Sequence, residues 1–146
     1  MHDNCNVKER TMMKMEKVVS FEEIYSAAQK AGEAAFHAAA PVPMAVQSSD
    51  IGEEFDWEKP YEVVSDGVCG FAWVDVFVDG RAKMAREMMK FGLSSNYMGG
   101  YNFWADKCAP SSRSSQSMQR KEAACEAFAA VMREHGFKAY AGSRMD

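Results

Sequence analysis

The chain contains four prolines, four cysteines and no apolar run of membrane length; its longest apolar candidate, Ala34 to Val46, is interrupted by His37, Pro41 and Pro43. A transmembrane helix needs about 20 consecutive apolar residues, so no membrane partner is expected. Cys5, Cys69, Cys108 and Cys125 are scattered, with no C-x-x-C pair and no signal-like apolar run ahead of them. That pattern fits reduced thiols in a cytosol. The phosphate-cradling patterns G-x-x-x-x-G-K-[ST] and G-x-G-x-x-G do not occur, and no serine lies in a G-x-S-x-G elbow. These absences remove the familiar nucleotide-binding loops and disfavour a hydrolase.

Histidine is also scarce, with His2, His37 and His135 the only three. A zinc site from Cys69, Cys108, Cys125 and His135 has suitable ligand chemistry, but the spacing gives it no support. No metal or cofactor is implied. His135 falls at the end of a helical pattern, where an imidazolium interacts favourably with the helix dipole.

What is present is a well-mixed chain of 146 residues, 47% hydrophobic and 26% charged, with a net charge of −4. This is one domain of ordinary size. Residues 1–17 show no apolar period and are expected to form a flexible leader, with Met12, Met13 or Met15 as alternative starts. Residues 18–146 are then a single α+β domain. Ser20-Phe21-Glu22-Glu23 is a capping box, and Val19 with Ile24 has hydrophobic-staple spacing. The spacing predicts a helix to about Ala39, with Ile24, Ala28, Ala31 and Ala35 on its buried face. An extended segment follows over Pro41 to Val46, then a polar connection from Gln47 to Pro60.

Tyr61 to Val64 and Phe71 to Val78 read as strands of a hairpin turned at Ser65-Asp66-Gly67. Arg81 to Phe91 is predicted helical, stopped by Gly92. Tyr101 to Ala105 is an aromatic strand, Asp106 to Ser117 a mobile serine-rich loop, and Met118 to His135 a helix burying Ala124, Cys125, Phe128, Val131 and Met132. Gly136 stops that helix ahead of a strand over Phe137 to Ala141. The expected fold is a mainly antiparallel sheet of about four strands with three helices packed on it.

Three features carry functional interest. From Asp50 to Asp66 seven carboxylates face one lysine, a local charge of −6 that leaves the rest of the chain at +2. Within it Glu53, Glu54, Phe55, Asp56, Trp57 and Glu58 combine aromatic anchors with an acidic rim, which suits docking on a basic protein; the same segment also reads as a solvated connection. Trp73, Asp75 and Arg144 form a second set. A carboxylate between strand aromatics must be solvated, paired or protonated, and Arg144 offers a place for an anion, so a small-molecule or nucleotide pocket or an enzyme site is open there. Finally, Trp73, Phe77, Tyr101, Phe103 and Trp104 suggest base stacking. Those strands carry no Lys or Arg, although after Asp106 the chain has seven basic residues against four acidic ones.

The segments Asp66-Gly67-Val68-Cys69-Gly70-Phe71-Ala72-Trp73-Val74, Gln116-Ser117-Met118 with Lys121-Glu122-Ala123, and Ala139-Tyr140-Ala141-Gly142-Ser143-Arg144-Met145-Asp146 resemble a family of small uncharacterised phage and prophage proteins. The resemblance spans Phe21 to Asp146. It implies a phage accessory product in the host cytoplasm and brings no catalytic residue with it. The reading favoured here is a binding protein without catalysis that occludes a host or defence-system protein in the manner of an anti-CRISPR inhibitor. The pocket at Asp75 and Arg144, and a single-stranded nucleic-acid surface, are the alternatives.

Overall fold

A computed structural model describes residues 20–77, 86–88, 90, 94–95 and 100–146. Helix α1 spans Phe21–Ala38, and its N-cap is the one expected: the Ser20 hydroxyl accepts the Glu23 backbone N–H over 3.2 Å. Such a cap satisfies one of the helix's orphan donors and contributes about 1 kcal/mol. Its buried face is Phe21, Ile24, Ala28, Gly32 and Phe36. Ala31 and Ala35, expected inside, are only partly covered. The face turns toward Gly32 because that position touches backbone: a Cβ there would collide with the Cys108 carbonyl.

Strands β1 (Met44–Val46) and β2 (Glu62–Val64) pair antiparallel, Met44 opposite Val64. Thus the expected hairpin between 61–64 and 71–78 does not form. Both sides of β3 (Gly70–Phe77) are already occupied, leaving β2 to pair backwards with β1. The chain turns between β2 and β3 at Gly67, whose φ of 75° suits glycine and whose Cα lies where a Cβ would meet the Val42 carbonyl at 2.7 Å.

The second sheet has the order β4 (Ser94–Ser95), β5 (Gly100–Trp104), β3 and β6 (Lys138–Met145), antiparallel throughout. Three of these are full strands; β4 adds two residues at one edge. The fold is therefore α+β with two antiparallel sheets. Of the helix expected over 81–91, the described residues 86–88 and 90 are helical, and Met88 is buried; the remainder, the leader and Gly92 lie outside the described residues.

Two further expectations are corrected. The segment 106–117 is not a bare loop: α2 (Ala105–Cys108) and a 3-10 turn (Pro110–Ser114) fill it, anchored by the fully buried Cys108 and Ala109. The last strand does not end at Ala141 but continues through Gly142, Ser143, Arg144 and Met145 alongside β3. The tail is held by backbone pairing, which local composition does not reveal.

Helix α3 (Met118–Glu134) starts at the Ser117 cap, and buries Ala124, Cys125, Phe128, Ala129 and Met132, while Val131, expected inside, is only partly covered at the edge of the core. Its stop follows the predicted grammar: Gly136 has φ 87°, the Gly136 N–H donates to the Arg133 carbonyl, and the Phe137 N–H donates to the Met132 carbonyl. His135 caps the end, with Nδ1 3.0 Å from the Val131 carbonyl.

The core lies between α1, α3 and one face of the larger sheet. Ala72, Val74, Val76, Phe103 and Ala139 point inward from the strands to meet Phe21, Phe128 and Met132. Phe103 and Phe128 have ring centroids 5.1 Å apart. Burying each such ring stabilises the fold by about 1.5–3 kcal/mol, the main force holding helices to sheet.

Candidate functional site

The six acidic and aromatic residues predicted to form an interface lie in the segment joining β1 to β2, forming an arm with its own small sheet. Gln47, just after β1, fixes the arm's shape. Its side-chain amide donates to the carbonyls of Asp56 (2.9 Å) and Pro60 (3.2 Å), and its Oε1 accepts the Asp56 N–H at 2.9 Å. Asp56 Oδ1 then accepts the Glu58 N–H at 3.0 Å, and the Lys59 N–H closes onto the Asp56 carbonyl at 3.1 Å. A composition-based reading treats this stretch as loose connection. One glutamine with three backbone contacts makes it a defined loop.

That loop gathers Phe55, Trp57 and Tyr61 into one cluster, with ring centroids 4.6 Å (Phe55–Trp57), 5.4 Å (Trp57–Tyr61) and 5.6 Å (Phe55–Tyr61). The cluster is not core: Trp57 is 71% exposed, and Ile51, Val63 and Tyr61 are exposed beside it in the same segment. Glu53, Glu54 and Glu58 are exposed, and Asp56 is half-buried under the Gln47 clip. The result is an apolar surface bordered in sequence by carboxylates, held open to solvent.

The arm's base is tied down from α3. Gln119 Oε1 accepts the Val42 N–H at 2.6 Å; Ser117 Oγ donates to the Asp66 carbonyl at 2.7 Å and accepts the Arg120 N–H at 3.3 Å. Arg120 binds Asp66 Oδ1 at 3.1 Å and donates to the Phe36 and Ala39 carbonyls at the end of α1, each at 3.3 Å. These ties are long-range, and Ser117 at a helix start is their one local mark in the sequence.

The second predicted set lies on the sheet face turned away from α1 and α3. The Trp73 indole N–H donates to Asp75 Oδ2 at 3.2 Å, and the indole lies over Gly142 of β6. Arg144 shares this face but stands opposite Phe71, with its guanidinium 5.3 Å from that ring, whereas Asp75 stands opposite Tyr140 and Asn102. Four residues of strand, about 13 Å, separate the two register positions, so Trp73 and Asp75 are brought together and Arg144 is set apart. A cleft of ≈ 260 Å³ near this end is lined by Phe71, Trp104, Asp106, Arg113 and Lys121 and does not include Asp75.

The predicted aromatic set divides between the two faces. Phe103 and Tyr101 belong to the core side, while Trp73, Phe77 and Trp104 lie outward, with Trp73 and Trp104 rings 5.7 Å apart. Basic residues do reach this face, from β6: Lys138 opposite Phe77 and Arg144 opposite Phe71.

Other reactive groups are arranged structurally. His37 Nε2 lies 3.1 Å from Glu33 Oε1 and 3.3 Å from Ser111 Oγ. Both contacts use one ring nitrogen, so the imidazole cannot relay a proton from serine to carboxylate through its two nitrogens as a hydrolytic triad does. Bonds from Ser111 first, then from His37, hold the Glu33 carboxyl below its ordinary pKa. Burial drives the Cys108 thiol well above its usual pKa, making it an unreactive core group beside Cys125. Cys69 is exposed, and no three His, Cys, Asp or Glu side chains among the described residues converge as metal ligands. No described helix is long and apolar enough to cross a membrane.

No protein-family model, curated protein or solved structure matches this chain.

Proposed function

We propose that the protein is a binding protein that acts through its arm, seating the Phe55–Trp57–Tyr61 cluster on an apolar patch of a partner whose rim is basic. The observation that carries this reading is Trp57, 71% exposed yet in ring contact with two neighbours. A soluble surface gains nothing from holding three aromatics in the open, whereas an interface gains a preorganised anchor with little ordering entropy left to lose. The carboxylates around it steer a cationic partner and reject an acidic one. The resemblance to phage proteins adds the setting: a host or defence-system protein, occluded in the host cytoplasm.

The test is quantitative capture from host lysate by the wild-type chain, by Trp57→Ala, and by a variant with Glu53, Glu54, Asp56 and Glu58 changed to their amides. A partner retained by the wild type and lost by both variants supports the reading. Identical captured sets would overturn it.

A second reading, single-stranded nucleic acid on the open sheet face, draws support from Arg144 and Lys138 flanking the Trp73 and Trp104 rings. It predicts binding that weakens steeply as salt rises; no gel shift at low salt removes it.

A further inference from the structure

We infer that the edge of β6 away from β3 is a dimerisation strand, pairing antiparallel with β6 of a second copy across a two-fold axis at Gly142. Among the described residues strand β6 ends the sheet order, and its eight residues form a long edge with one strand neighbour, β3. The direction of its backbone groups follows from two contacts. The Asp146 N–H donates to the Cys69 carbonyl on the β3 side, while the Ala139 carbonyl accepts Arg133 Nη1 at 2.8 Å from the other side. Since these directions alternate along a strand, the even-numbered residues face β3. Ala139, Ala141, Ser143 and Met145 turn their N–H and C=O groups outward. Among the described residues only Arg133 meets any of these groups.

An unpaired edge of this length usually carries a proline, a bulge or a central charge that discourages pairing. Strand β6 has none of the three; its charges stand only near its ends, at Lys138 and Arg144. Their placement selects both partner and register. In a symmetric antiparallel pair, residues on the same face stand opposite each other. An axis at Ala141 sets Lys138 against Arg144 of the second copy, a like-charge contact. An axis at Tyr140 leaves Arg144 opposite Gly136, beyond the strand. An axis at Gly142 sets Lys138 against Asp146 and Tyr140 against Arg144; Ala141 and Ser143 exchange backbone bonds at its centre, and at each end Arg133 must yield the Ala139 carbonyl to the Met145 N–H of the second copy. Opposite charges and a cation over an aromatic ring then fall at the close, non-hydrogen-bonded positions, where side chains interact most strongly. Gly142 itself supplies no side chain to clash at the axis.

On the helix side, a groove of ≈ 400 Å³ runs between α3 and this edge, lined by Gln119, Glu122, Glu126, Ala141 and Ser143. In the Gly142 register, Met145 of the second copy, 68% exposed in the single chain, comes opposite Ala139 beside that groove. The surface is thus complementary to itself, as an isologous interface requires.

Sedimentation equilibrium of the full chain over a concentration series tests the inference. The wild type is expected to dimerise reversibly. Ser143→Pro deletes an outward N–H that no described residue accepts, so the fold, checked by thermal melting, stays intact while the dimer dissociation constant rises about tenfold or more. Lys138→Glu alone weakens the dimer, roughly tenfold over the two symmetric contacts, and Lys138→Glu with Asp146→Lys restores it. A chain that stays monomeric, a dimer indifferent to Ser143→Pro, or a double variant without rescue would each overturn the inference. A monomer whose captured partner is lost on Ser143→Pro would assign the edge to that partner's strand instead, and would likewise overturn it.

Discussion

Arg120 Nε donates to Asp66 Oδ1 over 3.1 Å, joining the first turn of α3 to the turn that ends the acidic arm. The same guanidinium serves the Phe36 and Ala39 carbonyls, which α1 leaves without helical partners at its C-terminus. Its side chain is 27% exposed, so these are partly sheltered, charge-assisted bonds. Arg120→Ala is expected to cost about 1.5–3 kcal/mol, and Arg120→Lys, which cannot fork to three acceptors, to recover only part of it. Urea unfolding monitored by circular dichroism checks this; a change below about 0.5 kcal/mol would show that the arm's base is held elsewhere.

Gly142→Ala tests the approach of Trp73 to β6. A Cβ at this position would stand 2.9 Å from Cε2 and Cζ2 of the indole. The ring must move, breaking the bond to Asp75 and altering its contact with Trp104. Overpacking of this kind costs about 1–3 kcal/mol, reduced by the entropy that alanine saves in the unfolded chain. The expected signature is a shift of the Trp73 indole proton resonance together with a lower unfolding midpoint. An unmoved resonance would contradict the contact.

Tyr25 supplies a pH prediction. Burial first, then the proximity of Cys108 and Asp106, pushes its phenol up to about 12, and its hydroxyl donates to the Lys107 carbonyl at 3.0 Å. Above pH ~10 the unfolded chain loses this proton while the folded chain keeps it. The native state then binds more protons, and stability falls as pH rises. The contribution is fully present below pH ~10 and is lost progressively toward about 12. Tyr25→Phe should flatten this part of the stability profile relative to wild type; parallel profiles would refute the assignment.

Sequence and structure agree where the signal is local. The Ser20 cap, the Gly136 stop and four of the five residues expected on the buried face of α3 each depend on residues within a few positions and are found; Ala129 takes the inner place expected of Val131. Disagreement begins where pairing is long-range. Nothing near Tyr61–Val64 announces that Met44–Val46 is its partner, and nothing in Gly-Ser-Arg-Met announces that β3 continues beside it. The arm's aromatic and acidic residues were legible from composition, but the Gln47 clip that turns them into one surface spans nine to thirteen positions and uses backbone acceptors that sequence does not mark. Trp73 and Asp75 were legible together because they are two residues apart on one strand. Arg144 falls apart from them because the register of β6, which sets it opposite Phe71, is not marked in the local sequence.

The most direct measurement for the binding reading is the affinity of the captured partner for wild type, Trp57→Ala and Gln47→Ala across a salt series. Trp57→Ala should weaken binding by about 2 kcal/mol or more, as removal of an aromatic anchor does. Gln47→Ala should weaken binding while leaving the thermal midpoint of the main domain unchanged, and affinity should fall as salt screens the carboxylates. Equal affinity for all three chains at every salt concentration would contradict the account.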